Sequence, residues 1–446
     1  MMARQSGLGV WMKVLRETSF LALAVLVAIV QLGCGDQYRP VANPVVSPGG
    51  QPQTLHFAWV VNFNANGPGT TTEIDVSGDT NLGVNNMGQG SIAEAFPPNS
   101  FALFVANREN DTVSEYLPVL PTIPLTTITL PAGARPVAVN SGQPGFMYVV
   151  NSGANSGCPN NGGSLSVIPI STLSVSNTLC VGANPTAMAQ SPVNFYAYVL
   201  NQGDGTVSVI NGVGPSLAGT IPAPQLQGQS CPAQNPALGP NPVSITASPN
   251  GSWIFIVTQG DDVTPPALDI VGSGNTAVAA CVPLGARPTF SVVDPILNRL
   301  YVANSGDNTV SVFDASNVNP SGSNPIPLLA TVPVGTNPIG ITPLVDSSNF
   351  YVANAGSNDV TVVSANSFSP LATVPLPAGA NPVFIASDPT SSKVYVADQG
   401  TSATTIIKTS NNTVAGNISA PQQVSTCSPQ PNLPCALQQP VMIVTQ

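Results

Sequence analysis

Apolar and polar positions along this chain recur with a long period. Eight times, a run of apolar, β-branched and aromatic residues ends near an Asn, passes through a short turn of Gly, Asn and Asp, and returns as a second β-rich run. The first runs are "HFAWVVNFN" to Asn62, "FALFVANREN" to Asn107, "GFMYVVNSG" to Asn151 and "FYAYVLNQG" to Asn201. They continue as "WIFIVTQG" to Thr258, "RLYVANSG" to Asn304, "NFYVANAG" to Asn354 and "KVYVADQG" to Asp398. Successive anchors lie 45, 44, 50, 57, 46, 50 and 44 residues apart. A period of this size is the signature of a repeat architecture.

Each copy predicts a β-hairpin. Its outgoing run suits a pleated, packed surface, and turns such as "SGDNT", "AGSND" and "QGDGT" hold residues that accept the positive φ of tight hairpins. Both runs are nearly continuous in apolar or small residues, the pattern of a sheet covered on both faces. Upstream of the hairpins lies a third element: "GARPVAV" (Gly133 to Val139), "GANPTAMA", "GPNPVSIT", "GARPTFSV", "GTNPIGIT" and "GANPVFIA". Pro is admissible at the first residue of a strand. A fourth short strand, "LATVPV" near Thr331 and "LATVPL" near Thr373, precedes that motif.

Four strands in about fifty residues make a propeller blade. The fold class is therefore all-β, a closed β-propeller of eight blades by repeat count. Seven is the alternative if the first copy or the "WIFIVTQG" copy is irregular. The C-terminal "QQPVMIVTQ" (Gln438 to Gln446) has the form of an innermost strand with no hairpin after it. The first copy lacks a clear innermost strand, so this segment is expected to complete the first blade and leave no open edge.

The "YVAN" strand, the "SGxNTVSV" hairpin and the "GxNP" strand start together resemble the YVTN-type β-propeller repeat family, which is similar to surface-layer repeat proteins and propeller lactonases. The resemblance covers residues 54–446. It implies the propeller fold, and it implies that an enzyme of this kind would bring acid, base and cationic groups to the central funnel.

Composition bounds the function. The 446 residues include 40 Gly and 46 Pro but are 43% hydrophobic in a regular strand pattern, which argues for a folded chain. A pI near 4.3 and a net charge of −10 leave no basic patch, and nucleic acid is not an expected partner. Past Cys34 the chain holds seven Lys or Arg and nineteen Asp or Glu, a balance of about −12.

The segment from Met12 to Asp36 reads as a bacterial secretory signal, with Lys13 and Arg16 before an apolar core from Leu21 to Val30. Met12 competes with Met1 as the start. The apolar run is short for a transmembrane helix. "QLGC" resembles a lipobox with Gly33 before Cys34, although Gln31 departs from the usual aliphatic residue there. The expected division is a lipoprotein-type signal peptide over 1–33, a Pro/Gly-rich tether over 34–53 and the propeller over 54–446. Lipidation at Cys34 would anchor an exported protein at the outer membrane, periplasm or cell surface; the alternative is ordinary cleavage nearby, with Cys34 a stray thiol.

Without Cys34 six cysteines remain, an even number that suits an oxidising compartment. The preferred pairing is Cys158–Cys180, Cys231–Cys281 and Cys427–Cys435, against the alternative of buried free thiols. No CxxC or CxxCH occurs.

Candidate chemistry is thin. His56 is the one histidine and lies in an apolar run, so copper, haem and Ser-His-Asp sites find no ligand or base set. No cofactor is expected. Structural calcium at the Asp-rich turns of Asp261, Asp262 and Asp307 is a minor alternative to plain turn chemistry. The charged pool for a lactonase-like reaction is Arg108, Arg135, Arg287, Glu94 and Glu109, of which Arg135, Arg287 and Glu94 are the catalytic candidates. One constellation repeats: the residue before the strand-start Pro is Arg135, Asn184, Asn241, Arg287, Asn337, Asn381 and, in the closing copy, Gln439. If those strands are innermost, the seven residues ring one mouth of the channel and offer a polar or anionic ligand amide and guanidinium groups; the competing reading is a plain Asn-Pro turn.

The expectation is an exported, lipid-anchored, monomeric binding or scaffold propeller that engages an envelope protein, a glycan or a small polar ligand through loops or the funnel. A lactonase-like hydrolase in the funnel is the runner-up, and a passive surface-layer component is the third reading.

Overall fold

In the computed structural model, the repeats fold as eight four-stranded antiparallel sheets arranged as a ring. The structure describes residues 57–64, 68–76, 80–95, 102–116, 125–141, 145–223, 238–420 and 439–445. The expected signal peptide, Cys34, the tether and His56 lie outside the described residues, as do Cys231, Cys427 and Cys435. Among the described residues no helix is long and apolar enough to cross a membrane.

Blade 2 shows the plan. Its strands, from the channel outward, are Ser91–Ala95, Leu103–Asn107, Thr112–Tyr116 and Thr126–Thr129. The innermost strands of blades 3 to 8 are Pro136–Ser141, Pro185–Gln190, Pro242–Ala247, Pro288–Asp294, Pro338–Pro343 and Pro382–Ser387. Each inner strand packs on the inner strand of the next blade around the whole ring. Blade 1 takes its inner strand from the chain end: Gln439–Thr445 pairs antiparallel with Phe57–Phe63. The expected closure therefore holds, and blades 1 and 5, the two copies that left seven blades open, are complete sheets.

The continuous apolar runs are explained by burial on both faces. Eight hydrophobic clusters lie between blades, one at each of the eight junctions. The second strand of a blade feeds two of them: Leu300 and Val302 face blade 5, whereas Tyr301 and Ala303 face blade 7. Trp59, Phe104, Tyr148, Tyr198, Phe255, Tyr301, Tyr351 and Tyr395 repeat at one position, each at most 1% exposed, and each enters the junction with the following blade. The Tyr301 ring lies 4.5 Å from that of Phe350 in the next blade. Polar tips are used across the junction as well: Tyr351 Oη donates to Asn412 Oδ1 of blade 8 at 2.6 Å. Lys393 Nζ of blade 8 donates to the Val76 carbonyl of blade 1, spanning the junction where the ring closes.

The Asn that ends each second strand is a buried hub. In blades 1, 2, 3, 4 and 6 its Nδ2 donates to two hydroxyls two residues apart on the third strand, as Asn304 does to Thr309 at 3.1 Å and Ser311 at 2.9 Å. Asn354 of blade 7 does the same with Asp359 Oδ1 at 2.7 Å and Thr361 at 2.9 Å. Residues two apart lie on one face of a strand, so the alternating Thr-Val-Ser pattern is what lets one amide meet both. Blade 5 puts Thr258 in the Asn place and Asp269 in the Ser place, and blade 8 puts Asp398 in the Asn place, where it accepts the Thr405 hydroxyl.

A hub left without one side of these bonds carries an unmet buried polar group. Asn304→Ala strands the hydroxyls of Thr309 and Ser311 in this way. It should lower the unfolding free energy by about 1–3 kcal/mol, read as a lower urea midpoint at unchanged m-value.

Candidate functional site

The sequence that opens each inner strand builds the mouth of the channel. In blades 3 to 8 the strand starts at Pro, which pairs across the ladder with the hub residue, as Pro185 does with Asn201 and Pro288 with Asn304. The residue before Pro turns with positive φ: Arg135 at 50°, Asn184 at 45°, Asn241 at 54°, Arg287 at 48°, Asn337 at 53° and Asn381 at 46°. All six are exposed and stand at the same end of neighbouring inner strands, so the structure brings the expected positions together at one mouth. Gln439 opens the blade 1 inner strand opposite Phe63, in the equivalent place. Blade 2 supplies Gly90, φ 68°, followed by Ser91 in place of Pro. The motif search missed it because neither residue of the Asn-Pro pair is present; the repeat period alone points to it.

In blades 2 to 8 each of these turns is held by two backbone bonds. The amide after the hub residue donates to the carbonyl of the pre-Pro residue, and the next amide donates to the carbonyl before that. Gln202 and Gly203 do so to Asn184 and Ala183 at 3.1 and 2.9 Å, and Ser305 and Gly306 to Arg287 and Ala286, both at 2.9 Å. This clasp corrects the reading of the hairpin glycines. Gly153, Gly203, Gly306, Gly356 and Gly400 do not have positive φ; in blades 4, 6, 7 and 8 the left-handed turn residue lies two places further on, at Gly205, Asn308, Asn358 or Ser402, and Asp111 takes that place in blade 2. The glycines are needed for close approach: a Cβ would sit 1.7 Å from the Gly133 carbonyl at Gly153, and 2.9 Å from the Ala183 carbonyl at Gly203.

The hairpin acids serve the same linkers. Asp111 accepts the amides of Gly133 and Arg135 at 2.6 and 2.7 Å, Asp204 accepts Ala183 at 2.7 Å and Asp307 accepts Ala286 at 2.6 Å. Asp261 accepts Val263 and Thr264 at 2.9 and 2.6 Å, and those backbone bonds hold its carboxyl below the usual range. Asp262 is exposed beside it. Among the described residues no three His, Cys, Asp or Glu side chains gather as metal ligands.

Charge at the mouth is uneven. Arg135 Nη2 lies 3.0 Å from Glu109 Oε1, and Arg108 Nε lies 4.0 Å from the same oxygen. Arg287 makes no ion pair among the described residues. Glu94 lies on the blade 2 inner strand, opposite Val105. The eight inner strands together contain Glu94 and Asp294 as their acids and no Lys, Arg or His. Asp294 is fully buried: its Oδ1 accepts the Ser347 hydroxyl and the amides of Ile296 and Leu297 at 2.7 to 3.0 Å, and its Oδ2 has no hydrogen-bond partner among the described residues. Hydroxyls on the inner strands stitch blades to each other, as Ser244 to Ser291 at 2.9 Å and Thr342 to Ser387 at 3.2 Å.

One expected disulfide is formed at the rim of this face: Cys158 bonds Cys180, tying the loop after Asn151 to the outer strand of blade 3. Cys281 is also disulfide-bonded, and its expected partner Cys231 lies outside the described residues, as does the Cys427–Cys435 pair.

Together these features define a β-propeller with a polar channel mouth. No protein-family model matches the chain, and no curated protein matches it. Among solved structures it is similar to apo AztD from Citrobacter koseri, at 14% identity over 88% of this chain and 98% of that one, with a TM-score of 0.55. It is similar to the dihydro-heme d1 dehydrogenase NirN in complex with DHE, at 11% identity over 84% of this chain and 76% of that one, with a TM-score of 0.61. It is also similar to Kuenenia stuttgartiensis hydrazine synthase, at 18% identity over 73% of this chain and 99% of that one, with a TM-score of 0.51. At such identities these likenesses show the propeller fold alone.

Gly153→Ala should cost about 1–3 kcal/mol, because the added methyl must displace a backbone carbonyl. Arg135→Ala should cost under about 1 kcal/mol, since its ion pair is half exposed. Parallel urea titrations of the two variants check the contrast.

Proposed function

We propose that this protein is an exported, lipid-anchored propeller of the bacterial envelope that works by binding, and that the channel mouth receives a polar ligand. The glycan or protein it engages would reach the ring formed by Arg135, Asn184, Asn241, Arg287, Asn337, Asn381 and Gln439. The carrying observation is Arg287. A left-handed turn accounts for Asn at these positions, because Asn tolerates positive φ, but it does not account for Arg. Arg287 is exposed and free of any ion pair among the described residues, so its guanidinium is available to a ligand carboxylate or hydroxyl. Of the two carboxyls on the inner strands, that of Asp294 is buried and already held by Ser347, Ile296 and Leu297, which supports binding rather than hydrolysis as the work of the channel. On this reading the repeat belongs with YVTN-type propellers, the expected signal and a lipid on Cys34 would carry the protein out of the cytoplasm, and the monomer acts through its mouth and loops.

A lactonase-like hydrolase is kept as the second reading because Arg108, Glu109 and Arg135 bring two cations and a carboxylate together beside the same mouth.

A thermal-shift screen separates the two, using protein that begins at residue 35 and a panel of envelope glycans, organic acids, sugar lactones and divalent cations. A ligand at about 100 times its Kd adds roughly 2.7 kcal/mol. We expect a shift with a glycan or organic acid that Arg287→Ala abolishes without lowering the unliganded Tm. Lactone turnover that disappears in Glu109→Gln would overturn the binding reading.

A further inference from the structure

Six of the eight hubs are Asn amides. Blades 5 and 8 place a carboxyl in the same buried setting. Asp269 is 2% exposed and accepts the Gly239 amide at 2.7 Å, so the linker into blade 5 is seated on a carboxyl. In blade 4 the same linker position, Gly182, donates to the Ser208 hydroxyl at 3.3 Å, and in blade 7 Gly335 donates to Thr361 at 3.1 Å. Asp398 is fully buried and accepts the Thr405 hydroxyl.

Among the described residues no cation faces either acid. Asp269 stands among Thr258 and Ile256 of the second strand, Cys281 opposite it on the outer strand and Gly239 of the linker, and Val271, on the same face of its strand, belongs to the apolar cluster with Val207, Ile221 and Leu238 at the junction with blade 4. Cys281 alone among them is of a titratable type, and it is disulfide-bonded. Asp398 has Ala403 opposite it and Thr405 with its partner Asn417 beside it, and Val394 and Val396, on the same face of its strand, belong to the apolar cluster with Val360, Val374, Leu376 and Ala380 at the junction with blade 7. Burial therefore acts on both carboxyls without a counter-charge. It pushes Asp269 up to about 7 and Asp398 up to about 6, partly offset by their hydrogen bonds to Gly239 and Thr405.

We propose that these two hubs are proton-loaded latches: protonated, each carboxyl holds its blade against the preceding one, and ionised, it loosens that junction. An Asp in the unfolded chain releases its proton near ~3.9. Between that pH and each raised native value the folded chain holds more protons than the unfolded chain. Stability therefore falls as pH rises through that window and levels off above about pH 7. As pH rises Asp398 ionises first, so the junction of blades 7 and 8 loosens before the blade 4–5 side of the mouth, where Asp269 acts on the linker two residues before Asn241. This inference stands apart from the ligand reading.

The test is thermal unfolding of the whole chain, disulfides intact, near pH ~5 and pH ~8.5. It compares the parent with Asp269→Asn, Asp398→Asn and the double variant. Each Asn is a permanent mimic of the protonated acid. The variants should match the parent in acid and melt several degrees above it in alkali, with the gap kept at high salt because the groups are buried. An offset that is the same at both pH values overturns the proposal. Should Asp269→Asn fail to fold, Asp398→Asn decides alone, since it installs the residue that six other blades carry.

Discussion

A primary amide with both hydrogens bonded to side chains one strand away is the constraint on which this ring depends. The hub Asn lies where the second strand turns, beneath the linker arriving from the preceding blade. Its two acceptors fix the hairpin register, and the backbone clasp beside it fixes the linker. Loss of the amide would leave two buried hydroxyls of the third strand unmet at once. Apolar burial at the junctions supplies the bulk of the driving force, but it is non-directional. The amide selects one register among those that apolar burial alone would allow.

Because the hub is repeated, each blade can vary it locally while its neighbours stay intact. Stability in repeat arrays is close to a sum of units and nearest-neighbour contacts. Blade 5 exchanges the Asn–Ser pair for Thr258 and Asp269, and blade 8 exchanges Asn for Asp398. Those exchanges trade a neutral hub for a titratable one. At the mouth a similar freedom holds: the clasp uses backbone atoms and leaves the side chain before Pro out of it, although Asn241 Nδ2 donates to the Gly260 carbonyl at 2.6 Å. Arg135 spends that freedom on Glu109, whereas Arg287 keeps it.

Eight blades by repeat count, with seven as the alternative, and ring closure by Gln439–Thr445 were legible in the sequence, because apolar runs at this period suit sheets buried on both faces. The common mouth of the pre-Pro residues was legible for the same reason. Less visible was why the hairpin glycines are glycine: close approach to a carbonyl of the linker leaves no trace in the hairpin itself, and turn chemistry offered a ready substitute. Gly90 and Ser91 escaped because they keep the backbone of the motif without its residues. Asp269 escaped because its meaning lies in what the other blades place there, and a lone Asp in "LDIVG" resembles any strand polar residue. The disulfide Cys158–Cys180 was legible as a local pair within one repeat, whereas geometry for Glu94 comes from its strand alone.

The account rests on linkers being locked onto their blades by the hubs. Site-resolved amide exchange measures this directly. The linker amides of Gly182 and Gly335, bonded to third-strand hydroxyls, and the clasp amides of Gly203 and Gly356 should exchange as slowly as the second strands, opening only with the whole ring. Exchange at those four glycines as fast as at the exposed outer-strand residues Leu328 and Leu329 would contradict it, and would leave the hubs as local hairpin bonds with no hold on the ring.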